Sequence, residues 1–473
     1  MNVQNKNILV SGIGKSGVSA SILLSKLGAN VTIQDLNHLK NLKVIKLLND
    51  YNIKLYTGQN PNYDLIDTMD MMVVSPGLPL DLDFVKYADS KIPVISEIEL
   101  GFLNCNNDVP IIAITGTNGK TTTTSLVGSI FDKYKTKYNK TYIAGNIGLP
   151  FSEEILNLKC DDVAILELSS FQLETIDKFK PNVSCVLNIS EDHLNRHKTM
   201  ENYIKAKERI FKNQTNDDYL VLNYDDKICR EMTTKTPAKI LYFSLENNFN
   251  DGDFKNDFNA YLSNNIIYLN NIEFININSL KILGNHNMQN IMASILMCKA
   301  MGMPDNIIKK GLVEFEAVEH RIEFVDCINS VKYYNDSKGT NVDATIHAMN
   351  AMNSPTFIIL GGSEKNADFT PIINNLKNNK FKKAILIGEV KNRIAKSLDD
   401  NKLYNYEIKE SLLEAVTYCY ENALEGDSVL LSPACASFDM FKNYEERGNL
   451  FKKYVRDSSE LVGLKKIKKL KKA

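Results

Sequence analysis

The chain has no CxxC pair, no run approaching the ~18 apolar residues of a membrane helix, no surplus of charge, and only seven arginines in 473 residues. Each shortage excludes something. Eight cysteines stand singly at 105, 160, 185, 229, 298, 327, 419 and 435, away from any His/Cys cluster at ligand spacing, so a disulfide framework and structural zinc are not expected. The opening MNVQNKNILVSG lacks a basic start followed by an apolar signal stretch, and a cytoplasmic protein without stable membrane insertion is expected. Fifty-six basic against 57 acidic residues give a formal charge of -1, leaving no overall field to hold nucleic acid. No nucleic-acid partner is expected, and any anionic ligand must be held locally. No internal repeat of solenoid period is visible. The arginines, at 196, 209, 230, 321, 393, 447 and 456, mark places in a lysine-rich chain where the planar fork is needed.

What is present is ordinary globular material, 44% hydrophobic and 24% charged, long enough for about three domains. Residues 7–11 read as a buried strand running into Gly12-Ile13-Gly14-Lys15-Ser16-Gly17, then a helix to Lys26 and a second strand ending at Asp35. A second start follows at 109–114, an apolar strand delivered into TGTNGKTTTT and a helix from about Thr121 to Tyr134. Strands at 163–166 and 183–187 extend that unit, and 260–283 reads as short strands joined by Asn-Asn turns, a small β appendage. Beyond about 316 the pattern restarts, with strands at 331–334, 356–360, 383–387 and 428–431 separated by helical stretches. The fold class is α/β in three parts. The closing LKKIKKLKKA, with an apolar stripe of only three residues, reads as a solvated tail.

The strongest chemical signal is Thr115-Gly116-Thr117-Asn118-Gly119-Lys120-Thr121, between a strand and a helix. There glycines turn backbone N–H groups toward phosphate oxygens, and the helix N-terminus adds partial positive charge. Lys120 can reach the β/γ-phosphates, and the Thr121 hydroxyl can ligate Mg²⁺. The standard spacing would need glycine at 114, where this chain has Ile114, so the loop is a variant phosphate loop. Glu167 follows an apolar strand and sits where a metal-binding carboxylate is required. His193 also follows a strand; by itself it is either a metal or substrate contact or a hydrogen-bonded loop histidine.

Nine segments then fall into one pattern: ITGTNGKTTT, GNIG (145–148), ELSSFQLE (167–174), NISEDHLNRH (188–197), YIKAKERIF (203–211), GNHNMQN (284–290), EHRIEF (319–324), NDSKGTN (335–341) and SPACASFDMFKNYEERG (432–448). In this order they resemble the Mur ligase family through the whole chain, and the last segment resembles its D-glutamate-adding branch. The resemblance implies an ATP-dependent amide ligase of peptidoglycan precursor synthesis, acting through an acyl phosphate on UDP-MurNAc-L-Ala and D-glutamate. It implies an N-terminal Rossmann-like UDP-binding domain (1–98), a central P-loop ATPase domain (99–316) and a C-terminal Rossmann-like domain (317–473) for the amino acid. The active site would lie where the three meet, with closure about a hinge near Glu316 to Glu319, in a monomer.

By the same resemblance, two Mg²⁺ ions are held by Thr121, Glu167, His193 and a carbamoylated Lys207. Unaided, Lys207 reads as a helix-surface lysine. ATP would meet the 116–122 loop, Asn287 and Asn290 at adenine, Arg321 at the phosphates and Asp336 at the ribose; Lys338 would lie near the transferred phosphate. D-glutamate would meet Thr340, Lys365, Ser437 and the backbone of Tyr444. The UDP substrate would meet Gly14, Lys15, Ser16, Gly17, Asp35, Ser75, Asn146, Ser169 and His193. Catalytic roles would fall to Lys120, His193, Lys207 and Lys338. Taken without the family, Gly12-x-Gly14-x-x-Gly17 followed by Asp35 equally suggests NAD and an oxidoreductase. At 36–37, where related ligases can place an arginine by the uracil, this chain has Leu36 and Asn37.

Overall fold

Short apolar runs, buried on both faces in the central strands, build three mostly parallel sheets; helices and loops return the chain between strands. The structure is a computed structural model that describes residues 1–106, 108–246, 259–282, 284–316, 319–363, 367–377 and 380–470. It separates into two compact units, one of residues 1–280 with 288–315, the other of residues 281–287 with 316 onward.

In the first unit, Asn7–Ser11 (β1), Asn30–Asp35 (β2), Lys54–Thr57 (β3), Met71–Val74 (β4) and Val94–Ser96 (β5) form a parallel sheet of order β3-β2-β1-β4-β5. The order reverses between β1 and β4, which opens a crevice at their carboxyl ends, and the Gly12 loop and Ser75 lie there. Ile8, Val10 and Ile33 face a core that continues into the second sheet, while Leu9, Met72 and Val74 pack on Phe84, Val85 and Ala88.

The second sheet has nine strands: Ile111–Thr115 (β6), Thr141–Gly145 (β7), Val163–Glu167 (β8), Val183–Val186 (β9), Tyr219–Asn223 (β10), Lys239–Ser244 (β11), Asn259–Ser263 (β12), Ile266–Leu269 (β13) and Ile272–Asn276 (β14). Its order is β14-β13-β12-β11-β10-β9-β6-β8-β7. The short strands foreseen over 260–283 thus form an edge of this sheet: β12 pairs parallel with β11, and two antiparallel turns complete it through left-handed Asn264-Asn265 and Asn270-Asn271. Placing β6 between β8 and β9 sets the 116–121 loop beside Glu167 on one side and Asn188–Ser190 on the other.

The second unit carries Glu323–Ile328 (β15), Val331–Asn335 (β16), Thr356–Gly361 (β17), Phe381–Ile387 (β18), Tyr406–Ile408 (β19) and Ser428–Leu431 (β20), ordered β15-β16-β20-β17-β18-β19. Only β15 is antiparallel. The long helix Tyr444–Leu470 carries the chain into the lysine-rich end. Among the described residues no helix is long and apolar enough to cross a membrane.

Candidate active site

The phosphate-type loop is made by glycines that no other residue replaces. Gly119 caps the helix Lys120–Phe131 in the left-handed region, φ +83°, and a Cβ there would meet Asn290 Oδ1 at 2.3 Å. Gly116, φ +147°, lies against the Leu187 backbone. The loop is braced from β9's exit: Thr117 N–H donates to Asn188 O (2.9 Å), and Asn118 N–H to Asn188 Oδ1 (2.8 Å). Thr117 Oγ1 accepts from Ser190 N–H at 3.0 Å. Thr121 and Thr122 are buried in the first helical turn.

Two lysines converge on this loop. Lys120 Nζ donates to Gly116 O (2.9 Å) and Thr117 O (2.7 Å), and Lys207 Nζ donates to Gly116 O at 2.7 Å. Lys207 lies on the helix Met200–Glu208, capped by Thr199, and is only 1% exposed; its surface reading from sequence is therefore corrected. Burial, reinforced by the Lys120 charge, drives its ammonium well below the usual lysine range, while Asp192 and Glu167 oppose that shift. A buried lysine whose ammonium is disfavoured in this way is a candidate for chemistry.

Glu167 ends β8 and is 1% exposed. Its Oε1 accepts Asn146 Nδ2 at 2.7 Å, and its Oε2, also buried, has no hydrogen-bond partner among the described residues. Ser169 caps the helix Ser170–Leu173 in a reciprocal capping box with Gln172. His193 adopts φ +55° at the start of Leu194–His197, with its ring 4.8 Å from the Phe171 ring and Nε2 3.6 Å from Asp192 Oδ2. The structure thus gathers the 116–122 loop, Asn146, Glu167, Lys207 and Asn290 at the carboxyl ends of β6 to β9, with Asp192 beside Lys207 and His193 next to Asp192 in the chain.

At the other glycine loop, Gly14 caps the helix Lys15–Lys26, which begins Lys15-Ser16-Gly17. A Cβ on Gly17 would fall 1.8 Å from Gly12 O, and one on Gly12 would strike Ser75 Oγ at 2.5 Å, whereas Gly14 faces open space. Asp35 spends its carboxylate on its own surroundings, accepting Ile13 N–H at 3.0 Å and Asn37 N–H at 2.8 Å. Leu36 is exposed.

In the second unit, Asp336 is buried, accepting Ser432 Oγ at 2.7 Å and Ile322 N–H at 3.3 Å; burial raises its carboxyl to about 7 against the pull of Ser432 and Arg321. Arg321 and Asn287 line one cavity of about 260 Å³ with Tyr334 and Met352, and Arg321 Nε is buried without a partner among the described residues. Lys338 Nζ lies 5.3 Å from the Tyr444 ring centre, Thr340 is half-buried on the same loop, and Ser437 is buried. Lys365, with 317–318 of the expected hinge, lies outside the described residues.

Sequence reasoning passed over Arg447. It is 1% exposed and joins the two loops of this unit, donating to Ser337 Oγ (2.9 Å), Ser337 O (2.7 Å) and Cys435 O (3.1 Å). The signal was its chemistry: one of seven arginines, inside a segment already singled out.

A strand–loop–helix phosphate site with buried carboxylate and lysine, in an α/β chain of three mostly parallel sheets, defines a nucleotide-dependent ligase class. The chain belongs to the Mur ligase family, matching the MurD-like N-terminal domain over residues 6–96, the Mur ligase middle domain over 114–298 and the Mur ligase, glutamate ligase domain over 320–435. It is 44% identical to the UDP-N-acetylmuramoylalanine--D-glutamate ligase of Lachnoclostridium phytofermentans over 461 residues, covering 96% of this chain and 99% of that one. The enzyme of the same name from Clostridioides difficile is 44% identical over 463 residues, again covering 96% and 99%. The fold is shared with MurF of Acinetobacter baumannii (TM-score 0.60, 15% identity, 95% and 93% covered) and with the UDP-N-acetylmuramate-alanine ligase MurC of Thermotoga maritima (0.59, 18%, 96% and 100%). The oxidoreductase alternative falls with that membership.

Proposed function

We propose that this chain joins D-glutamate to the terminal carboxylate of UDP-N-acetylmuramoyl-L-alanine, converting ATP to ADP and phosphate, in peptidoglycan precursor synthesis. The observation that carries the reading is the convergence of Lys120 and Lys207 on Gly116 O, beside the buried, unpartnered Oε2 of Glu167. Such a site answers the main obstacle of the reaction, the approach of a carboxylate to a triphosphate of like charge. The substrate carboxylate attacks the γ-phosphorus, ADP leaves, the D-glutamate amine attacks the acyl phosphate carbonyl, and phosphate departs from the tetrahedral intermediate.

Lys120 and the 116–122 amides hold the triphosphate. The open oxygen of Glu167 fits a divalent cation, and Thr121, Glu167, His193 and Lys207 are the residues to hold Mg²⁺. Bound there, Mg²⁺ supplies charge neutralisation between the two anions. Lys207 serves as a carbamate: its depressed ammonium frees the amine that takes up CO₂, and Lys120 favours the resulting anion. Asn287 and Asn290 meet adenine, Arg321 the phosphates and Asp336 the ribose, Lys338 the transferred phosphate, and Thr340, Lys365, Ser437 and the Tyr444 backbone the two carboxylates of D-glutamate. Gly14 to Gly17, Asp35, Ser75, Asn146, Ser169 and His193 hold the UDP-sugar. The domains divide near 98 and 316, and closure of the last over the substrates keeps water from the acyl phosphate.

The test is phosphate release in the presence of ATP and Mg²⁺. It is expected only when UDP-MurNAc-L-Ala and D-glutamate are both supplied, and not with glycine, L-alanine, L-glutamate or diaminopimelate in place of D-glutamate; release independent of either substrate contradicts the reading. Lys207→Ala should lose activity and regain part of it with short carboxylic acids, and failure of rescue at every concentration would remove the carbamate from the proposal.

A further inference from the structure

A column of rings runs through the first unit between two residues the proposed function assigns to Mg²⁺. The His193 ring lies 4.8 Å from Phe171, Phe171 lies 5.4 Å from His197 and nearly parallel to it, His197 lies 5.3 Å from Tyr203, and the Tyr203 ring centre is 4.7 Å from Lys207 Nζ. The column also touches the phosphate loop. Thr117 Oγ1 has one proton, directed at Ser190 O, so the Tyr203 hydroxyl 3.1 Å away is the donor of that pair.

His197 is held by polar groups at both ends of its ring. It is 5% exposed, its Nε2 lies 2.9 Å from Ser170 Oγ, and its Nδ1 lies 3.4 Å from Glu174 Oε1. Burial lowers the imidazole pKa from its ordinary value, and the Glu174 carboxylate opposes that shift. Glu174 is fixed in turn by Arg196 at 2.6 Å, whose guanidinium also covers the Phe171 ring at 5.1 Å. Both short helices, Ser170–Leu173 and Leu194–His197, are thereby docked through one imidazole. A four-residue helix has too few internal hydrogen bonds to hold its own orientation, so its lock is tertiary.

We infer that His197 is a positioning residue: as the middle ring of the Phe171–His197–Tyr203 column, pinned by Ser170 and Glu174, it sets the place of His193 relative to Lys207 and so the affinity of the site for a divalent cation. This rests on the proposed assignment of His193 and Lys207 to the metal. Groups behind a metal ligand commonly carry about tenfold or more of the affinity. Ring contacts carry the link along the column and the two ring nitrogens fix the ring's place in it, so a ring without nitrogens keeps only part of the link.

The experiment is Mn²⁺ binding to the full chain with ADP, read by electron paramagnetic resonance, alongside thermal melting and the KM values for D-glutamate and UDP-MurNAc-L-Ala. His193→Ala and Lys207→Ala test the assignment: unchanged Mn²⁺ affinity in both removes the premise. With that premise standing, His197→Ala should weaken Mn²⁺ roughly tenfold. His197→Phe, which keeps the ring and loses the contacts to Ser170 and Glu174, should restore part of the affinity, and both substrate KM values should stay within about twofold of the parent. Phe171→Leu, which interrupts the column at its other link, should reproduce the His197→Ala loss. Parental Mn²⁺ affinity in folded His197→Ala would overturn the inference. So would a parental value in Phe171→Leu, or a loss in His197→Phe as deep as in His197→Ala.

Discussion

Two glycine loops follow two parallel strands of the first unit, each opening a helix at a sheet's carboxyl edge, and they differ in what their neighbours bring. At Gly12 to Gly17 the adjoining strand supplies Asp35, whose carboxylate accepts the Ile13 amide, so the loop's inner N–H is already satisfied by an anion of the protein. At Gly116 to Thr121 the neighbours supply cations: Lys120 and Lys207 both lie on Gly116 O, and the nearby carboxylate, Glu167, keeps one oxygen uncommitted. Backbone geometry makes either loop able to hug a ligand; side chains from the flanking strands and from the helix Met200–Glu208 decide which one takes up a triphosphate.

The sharpest way to break this comparison is Lys120→Ala. Phosphate release should fall roughly 10³-fold or more, while binding of UDP-MurNAc-L-Ala, followed by calorimetry, should persist because the other loop is untouched; loss of both would show that the loops do not work separately. Next in size is Gly17→Ala. Its Cβ would lie 1.8 Å from Gly12 O, and a cost of about 3 kcal/mol is expected in denaturant unfolding, with UDP-substrate binding lost.

Glu97 probes the seam between the two sheets. It is buried between the helices that carry Ser19 and Ser152, where its Oε1 accepts Ser152 N–H, its Oε2 has no partner among the described residues, and Ser152 Oγ meets Ser19 Oγ at 3.0 Å. Burial raises its carboxyl from 4.5 to about 7, with Glu153 adding to the rise and Ser152 opposing it. Because the folded state holds this proton more tightly than the unfolded chain, stability should fall as pH rises from about 4.5 to about 7 and then level off. Glu97→Gln should therefore be more stable than the parent at pH 8, on the order of 2–3 kcal/mol, and indistinguishable near pH 4.5; an equal effect at both pH values would show that no proton is involved. The smallest effect belongs to Gly14→Ala. With φ -65° and nothing within 4 Å of the added Cβ, stability should stay within about 0.5 kcal/mol, which separates glycines needed for close approach from one that is merely present.

Much of the site could be read from spacing. The 111–121 strand and loop, and Glu167 at the end of an apolar strand, carry their meaning in local pattern, because a phosphate loop needs both ends of one strand–helix junction. Lys207 could not be read this way. Its helix, MENYIKAKE, is polar on average, and what buries the lysine is a carbonyl from residue 116. His197 and Glu97 were invisible for the same reason: their partners, Ser170 and Ser152, are ordinary residues until the sheets are assembled. In the last sheet, β15 is half-exposed and antiparallel, and β19 has only three residues, so neither offers the buried run of β17, β18 and β20. Asn287 and Asn290, three apart on one helix, read as a pair for one ligand; the fold rests Asn290 on Gly119 and sets Asn287 on the cavity wall with Arg321.

The central claim is that charge, and not loop shape, directs the nucleotide. A crystal structure with a non-hydrolysable ATP analogue and Mn²⁺, located by anomalous scattering, tests it most directly. The triphosphate should lie against Gly116 to Thr121 with Mn²⁺ at the open oxygen of Glu167; a triphosphate seated on Gly12 to Gly17, or manganese away from Glu167, would contradict the account.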